Sequence, residues 1–211
     1  MSKVVVFGAA GRLGQLIVAE AAGRGHEVTA VARDPERSPV LAHTMVIGDA
    51  TSGESVAALA KDADVLVSAV AALGRGIYRT VAETLVSAVA GLPEPGPRIV
   101  HVGGGATLTT PDGTRFLDLP AFPAEYLDMA SGQAEALQVY RASSGVRWTY
   151  VSPPPEHFAP GPRTGHYRTG LDQPVIGPDG RAALSYGDMA VAIVDEIERP
   201  KFLNTRFTAG Y

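Results

Sequence analysis

The chain has 211 residues, of which 45% are hydrophobic, a formal net charge of −4 and no cysteine, so we expect one domain with a full apolar core. The sequence has no basic block and no apolar run of the roughly 20 residues needed to span a bilayer, which argues against nucleic-acid and membrane partners. Without cysteine, disulfides and thiol chemistry are excluded, and we predict no metal site and a cytoplasmic location.

In chain order, short β-branched segments alternate with segments rich in alanine and leucine. This alternation predicts an α/β fold, a Rossmann-like doubly wound parallel sheet covered by helices. The first five predicted strands are Lys3–Phe7, Glu27–Ala32, Thr44–Ile47, Asp64–Val70 and Arg98–Val102. The helices between them are predicted at Arg12–Ala22, Ser52–Lys61 and Ile77–Ala90.

The sequence changes character after the fifth strand. Residues 103–123 are rich in glycine, threonine and proline and predict a loop. The later elements are a helix Glu125–Ser143, a strand Trp148–Val151, short strands within 165–186, a helix Gly187–Glu198 and a strand Arg206–Thr208. We therefore expect one NAD(P)-binding domain over residues 1–211, with a small C-terminal subregion at about 153–186 on the substrate side.

The segment FGAAGRLGQ, residues 7–15, joins the first strand to the first helix and carries three glycines spaced three apart. Gly8 allows a sharp turn, Gly11 leaves the main chain open to a pyrophosphate, and Gly14 permits close packing of the helix on the strand. The helix N-terminus favours phosphate. A tight turn without a ligand is the alternative. The predicted cofactor contacts here are Gly8, Ala10, Gly11, Arg12, Leu13 and Gly14.

The spacing G-x-x-G-x-x-G, with VTAVARDPER, VIGDAT, HVGGGATL, WTYVSPP and the closing FTAGY, resembles the short-chain dehydrogenase/reductase superfamily. Over nearly the whole chain, the sequence is most similar to a small atypical NAD(P)H-binding group. That group contains NmrA-like proteins, biliverdin/flavin reductases and NADH-flavin reductases. The resemblance implies a Rossmann-like fold and a pyridine-dinucleotide cofactor.

The resemblance also implies contacts beyond the glycine turn. Asp49 and the main chain of Ala50 would lie by the adenine, although an aspartate here is also a common turn or capping residue. Its other implied contacts are the main chain of Ser68, Ala69 and Val70 at the ribose, and Pro153 beside the nicotinamide.

The end of the second strand, AVARD, bears on which dinucleotide binds. Arg33 stands where NADP enzymes place an arginine for the 2′-phosphate, and Arg12 can approach the same phosphate from the turn. Asp34 leaves NAD(H) as the alternative cofactor, because an acid at this place binds the ribose hydroxyls. Arg37 is a further candidate with less positional support. NADP(H) is the favoured cofactor.

Most short-chain dehydrogenases carry a Tyr-x-x-x-Lys pair, in which the tyrosine passes a proton to the substrate oxygen. By resemblance, the tyrosine position falls on Met129 and the lysine position on Gln133, and Gly103 or Gly104 stands where a catalytic serine is common. Methionine has no proton to donate, and glutamine carries no charge. We predict Gly103 and Gln133 as cofactor contacts.

This departure constrains the reaction, because an unactivated ketone needs a placed proton donor and a flavin or quinone needs one much less. We predict hydride transfer to a small, flat, conjugated acceptor. The candidate proton donors are Tyr126 and His157, with Tyr78 as a third. The alternatives are a non-catalytic NADP(H) sensor of the NmrA-like kind and an isomerase or dehydratase on the same fold.

Other residues have less certain roles. His101 is predicted to be a strand residue whose ring has its hydrogen-bond partners. Phe158 and Tyr167 either roof an aromatic substrate or pack within the C-terminal subregion. We expect a monomer or a homodimer.

Overall fold

The computed structural model describes residues 1–34, 42–72 and 74–211. The strands are β1 (Lys3–Phe7), β2 (Glu27–Ala32), β3 (Thr44–Ile47), β4 (Val65–Ser68), β5 (Arg98–Val102), β6 (Trp148–Ser152), β7 (His157–Ala159), β8 (Arg168–Gly170), β9 (Ala183–Ser185) and β10 (Thr205–Gly210). The α-helices are α1 (Arg12–Gly23), α2 (Gly53–Ala60), α3 (Arg75–Ala90), α4 (Leu127–Ala142) and α5 (Tyr186–Glu198). Short 3₁₀ turns lie at Gly105–Thr107, Phe116–Asp118 and Ala124–Tyr126.

Eight strands form one sheet in the order β3-β2-β1-β4-β5-β6-β10-β8. The first seven run parallel, and β8 pairs antiparallel with β10 at the edge. This confirms the predicted doubly wound sheet. The strand order reverses between β1 and β4, and in such sheets ligands bind outside the carboxyl ends of the strands at this switch point.

Two apolar layers cover the sheet, with α1 and α5 on one face and α2, α3 and α4 on the other. Alternate side chains of one strand enter different layers. Val4 and Val6 pack with α1 and α5, whereas Val5 and Phe7 pack with the other three helices. A strand buried on both faces must be apolar at nearly every position, which explains the continuous apolar runs in the sequence.

The main differences from the predicted elements lie at β4 and in the C-terminal third. The predicted strand Asp64–Val70 is only Val65–Ser68, and the terminal strand extends to Thr205–Gly210. The short strands β7 and β9 pair in parallel as a separate two-stranded sheet. Strand β7 was not predicted, because three residues so soon after a proline run give no periodic pattern.

Candidate functional site

The glycine turn after β1 is held by main-chain contacts that leave no room for side chains. Gly8 has a φ of +76°, and a Cβ placed on it would lie 2.6 Å from the carbonyl oxygen of Ala69. A Cβ on Gly14 would lie 2.1 Å from the carbonyl oxygen of Gly8. Gly14 therefore allows the helix to pack closely on the turn itself, rather than on the strand as predicted.

The first turn of α1 presents main-chain donors. Its N-cap residue is Gly11, which has no side chain to cap the helix. The N–H groups of Arg12, Leu13 and Gly14 point out of the helix end without intrahelical acceptors, as at any helix N-terminus. Arg12 is exposed, whereas Leu13 packs against the core. Any contact of Leu13 with a ligand is therefore through its main chain.

A cavity of about 370 Å³ lies beside this turn, at the carboxyl ends of β1, β2 and β4. This volume lies within the range of small-molecule sites. The predicted residues that line it are Gly8, Ala10, Gly11, Arg33, Asp49, Ala50, Ala69 and Val70. Those that do not are Arg12, Leu13, Gly14, Ser68, Gly103, Gln133 and Pro153.

The cavity wall also contains residues that sequence reasoning did not single out. Ile77 and Val81 of α3 form an apolar side of the cavity, and Ala71 and Ala72 continue the wall beyond β4. In the sequence, the spacing of Ile77 and Val81, four residues apart on one helix face, looks the same as ordinary core packing. Only the position of α3 beside β4 distinguishes a cavity wall from core.

The charged groups of the cavity are at the ends of β2 and β3. Arg33 is exposed at the end of β2, and Arg37 lies outside the described residues. Oδ1 of Asp49 accepts hydrogen bonds from N–H and Oγ1 of Thr51, each 2.8 Å long. The bond from the Thr51 main chain is the largest cause of a lowered pKa of Asp49, and the nearby charge of Arg33 contributes. Asp49 is thus an ionised turn residue that also lines the cavity.

On the other side of the switch point, Tyr150 of β6 organises the exit of β5. A Cβ on Gly103 would lie 2.0 Å from the Tyr150 ring. The buried Tyr150 hydroxyl donates to the carbonyl oxygen of Gln133 at 2.8 Å and accepts the N–H of Gly104. Burial raises its pKa. Tyr150, which sequence reasoning missed, fixes the start of the glycine loop to α4.

The exits of β5 and β6 also contact each other. A Cβ on Gly105 would lie 2.5 Å from the carbonyl oxygen of Pro153, and Pro153 and Pro154 are buried. The Gln133 side chain lies 3.1 Å from a Cβ placed on Gly104. Gly103, Gln133 and Pro153 therefore come together at one place, beside the cavity rather than in its wall.

Ser68 and His101 are register neighbours on β4 and β5, and both are buried. His101 Nδ1 lies 3.0 Å from the hydroxyl of Tyr140, but its Nε2 and the Oγ of Ser68 have no hydrogen-bond partner among the described residues. The prediction of a fully bonded His101 ring was therefore wrong for Nε2. Burial lowers the pKa of His101 to about 3, so the ring is neutral near pH 7.

The candidate proton donors have different surroundings. Tyr126 is 52% exposed on the 3₁₀ turn before α4, and His157 is exposed on β7. Tyr78 is buried, and its hydroxyl accepts the N–H of Ala72 at 3.0 Å and donates to the Ala72 carbonyl at 2.6 Å. Tyr78 thereby fixes the cavity wall after β4, so the structure gives it a structural role.

The two aromatic residues of the C-terminal subregion are engaged in packing. Phe158 meets Tyr186 edge-on, with ring centroids 4.4 Å apart. The Tyr167 hydroxyl donates to Asp195 of α5 at 2.5 Å. The sequence left open whether these residues roof an aromatic substrate or pack within the subregion. The contacts fit packing. Near Gly105, a small separate apolar cluster is formed by Leu117, Ala130 and Ala134, with Ala106 and Phe122 packed against it.

A glycine turn at the switch point of a doubly wound parallel sheet, with an uncapped helix N-terminus and an adjoining cavity, defines a Rossmann-like nucleotide-binding protein. Comparison with known proteins makes this assignment specific. The chain belongs to the NAD(P)H-binding family, which matches residues 8–200.

Three similar proteins illustrate the family. The chain is 35% identical to the uncharacterized protein YwnB of Bacillus subtilis over 98% of this chain and 97% of that protein. A solved structure from Streptococcus pneumoniae, whose proposed activity is that of an NADH-flavin reductase, has a TM-score of 0.90 at 30% identity, covering 100% of this chain and 99% of that one. A Bacteroides thetaiotaomicron structure with a proposed epimerase activity has a TM-score of 0.89 at 33% identity, covering 99% and 96%.

Within the described ranges, each helix is too short or too polar to cross a membrane. The cytoplasmic location stays a prediction.

Proposed function

We propose that the protein is an NADPH-dependent reductase of a flat conjugated acceptor such as a flavin or a quinone. In this reaction one hydride passes from the reduced nicotinamide to the acceptor and one proton comes from water. NADPH, a proton and the acceptor thus become NADP⁺ and the reduced acceptor. The observation that carries the proposal is the cavity at the glycine turn. The resemblance supports it, because it aligns the usual catalytic pair with Met129 and Gln133 of α4.

The shape and charge of the site support this cofactor. The adenosine half would occupy the cavity, with Asp49 and Ala50 by the adenine and Arg33 and Arg12 near the 2′-phosphate. The pyrophosphate would lie on the first turn of α1, where the glycines leave the main chain bare. Gly8, Ala10, Gly11, Leu13 and Gly14 complete this contact.

The nicotinamide half would lie over the exits of β4, β5 and β6, because a dinucleotide extends across the switch point. Its neighbours there would be the main chain of Ser68, Ala69 and Val70, together with Gly103, Gln133 and Pro153. The role of these residues is to bind and orient two rings against each other.

The acceptor class follows from the scarcity of proton donors. The hydroxyls of Tyr78 and Tyr150 are engaged with main-chain groups, and burial raises the pKa of Tyr140 and Tyr150. Tyr126 and His157 are exposed and remain the candidate donors. An acceptor that can take its proton from water suits this arrangement better than a ketone.

The test is anaerobic oxidation of NADPH by the purified protein with riboflavin, FMN and menadione, each compared with the rate without protein. We expect turnover that depends on the protein. If NADPH binds and no acceptor is reduced, the sensor alternative is favoured. If a substrate is rearranged without net consumption of NADPH, the isomerase alternative is favoured, as the proposed activity of the Bacteroides relative would suggest.

A further inference from the structure

Three segments surround the nicotinamide side of the proposed site: residues 103–110, 116–140 and 152–160, here called the acceptor-side segments. They contain no lysine and no arginine. Their acidic residues are Asp118, Glu125, Asp128, Glu135 and Glu156. The cofactor cavity is different, because Arg33 lines it together with Asp34 and Asp49, and Arg12 stands at its glycine turn. The acceptor side is therefore the more acidic of the two ends of the proposed site.

Neighbouring arginines neutralise part of this acidity. Arg115 binds Asp118 through two hydrogen bonds of 2.5 and 2.8 Å. Nε of Arg75 donates to Glu135 at 2.8 Å. These two ion pairs neutralise two of the five carboxylates and leave the other three.

The other three acids have no cationic partner in the described part of the chain. Glu125 and Asp128 are exposed and lie just before and within the first turn of α4. Oε2 of Glu156 accepts the main-chain N–H of Ala182 at 3.1 Å, which does not cancel its charge. The net charge of the acceptor-side segments and their arginine partners is therefore negative.

Two further arginines lie near this side and must be counted. Arg206 is buried and binds Asp172 through Nε at 3.0 Å, and Arg141 lies 3.6 Å from the same carboxylate. They share one acid, and Arg206 also donates to the carbonyl oxygen of Thr107 at 2.7 Å, so one positive charge lies between the 103–110 segment and the far end of α4. The acids Glu125 and Asp128 lie at its beginning, at the carboxyl edge of the sheet where the acceptor would bind.

The beginning of α4 also exposes apolar side chains. Tyr126 and Met129 precede Gln133 by seven and four residues, so the three lie on one face of the helical turns. Tyr126 is 52% and Met129 37% exposed. Gln133 contacts Gly104 at the β5 exit. An aromatic ring and a thioether thus adjoin the nicotinamide side, and Glu125 and Asp128 flank Tyr126 in the sequence.

We propose that this surface selects an uncharged conjugated acceptor, of the riboflavin or quinone class, against acceptors that carry phosphate or sulfonate. This inference rests on the proposed function. The apolar side chains favour a flat ring, and the three unpaired carboxylates repel an anionic group attached to it. Because exposed charges act through water, the expected discrimination is on the order of tenfold at low ionic strength and decreases with added salt.

The experiment measures equilibrium binding to the protein saturated with NADP⁺. Riboflavin and FMN are compared by quenching of flavin fluorescence, and menadione and menadione sulfonate by calorimetry. We expect the neutral member of each pair to bind about tenfold more tightly in dilute buffer, and the difference to shrink at about 0.5 M salt. The double variant Glu125→Lys/Asp128→Lys should abolish this difference in affinity. The isosteric double variant Glu125→Gln/Asp128→Asn should reduce it.

Asp62→Lys is the matched control, because Asp62 lies between α2 and β4 at the opposite edge of the sheet. It should leave the preference unchanged. The inference is overturned if FMN binds as tightly as riboflavin in dilute buffer, or if the lysine double variant keeps the wild-type ratio. Turnover separates the two proposals: equal reduction of the neutral and anionic members refutes only the selectivity, whereas no reduction of any acceptor refutes the reductase function and this inference with it.

Discussion

The two halves of the proposed site are built in different ways. The cofactor half, at the exits of β1, β2 and β4, consists mainly of main chain: three glycines, an uncapped helix end and a wall of small residues. The acceptor half, at the exits of β5 and β6, depends on buried side chains from distant segments, with Tyr150 joining Gly104 to Gln133. The glycines of both halves tolerate almost no added atoms, and the second half depends in addition on individual polar contacts.

The largest expected effect comes from adding one methyl group to the cofactor half. Gly14→Ala places a Cβ 2.1 Å from the carbonyl oxygen of Gly8, and relief requires movement of the turn. We expect about 3 kcal/mol of destabilisation and at least about 100-fold weaker NADPH binding. Calorimetric titration and urea unfolding measure both quantities.

Gly23→Ala, in the last turn of the same helix, is the control, because a Cβ there meets nothing within 4 Å. It should keep wild-type affinity for NADPH. If Gly14→Ala binds NADPH as the wild type does, the turn is not the phosphate site.

The acceptor half should make stability sensitive to mild acid. The pKa of buried His101 is lowered to about 3, so between pH 6.5 and 3 the unfolded chain binds a proton that the native protein excludes. Stability therefore falls as the pH falls through this window, by about 2 kcal/mol between pH 7.5 and 5.

Urea unfolding at pH 7.5 and 5 checks this effect. The lowered pKa of a carboxylate such as Asp49 keeps it ionised throughout that interval. The His101→Gln variant lacks this titrating ring, so its free energy of unfolding should depend much less on pH. An unchanged dependence in this variant would assign the acid sensitivity to other groups.

Charge at the edge of the cofactor half should set the choice of dinucleotide. Removing the guanidinium in Arg33→Ala should weaken NADPH binding about tenfold and leave NADH binding nearly unchanged. Competitive titration of both nucleotides measures the two affinities. Arg199→Ala, at the end of α5, is the matched surface control. Equal losses for NADPH and NADH would remove Arg33 from the 2′-phosphate site.

Removing either of two hydroxyl groups should affect only one half of the site. Each effect should be smaller than those of the substitutions above. Tyr78→Phe frees the Ala72 main chain in the cavity wall, and Tyr150→Phe frees Gly104 and Gln133. We expect the first to raise the Kd for NADPH about threefold with little change in kcat. The second should lower kcat about threefold to tenfold with little change in that Kd. If both variants changed the Kd for NADPH and kcat in the same way, the two halves would not be independent.

The cofactor half was largely predictable because its features are local in sequence. Buried parallel strands give uninterrupted apolar runs, so the bounds of β1 and β2 match those predicted. The bounds of the exposed edge strand β3 match as well. The glycine spacing after β1 and Arg33 at the end of β2 follow directly from those strands, and both lie at the cavity.

The acceptor half was less predictable because its contacts join residues far apart in the chain. An aromatic residue in a buried strand indicates core packing first, so nothing local distinguished Tyr150 from its neighbours. The hydroxyl of Tyr150 has a particular role only because Gln133 and Gly104 meet it. Likewise, the missing partner of His101 Nε2 is a property of the packed interior and has no sequence pattern.

The central claim is that the first turn of α1 binds the pyrophosphate of a pyridine dinucleotide. A crystal structure of the protein grown with saturating NADPH tests it most directly. The account predicts the pyrophosphate oxygens within hydrogen-bond distance of the main-chain N–H groups of residues 12–14, with the adenine side in the cavity beside Arg33. Density for NADPH elsewhere, or a vacant turn at saturating nucleotide, would contradict it.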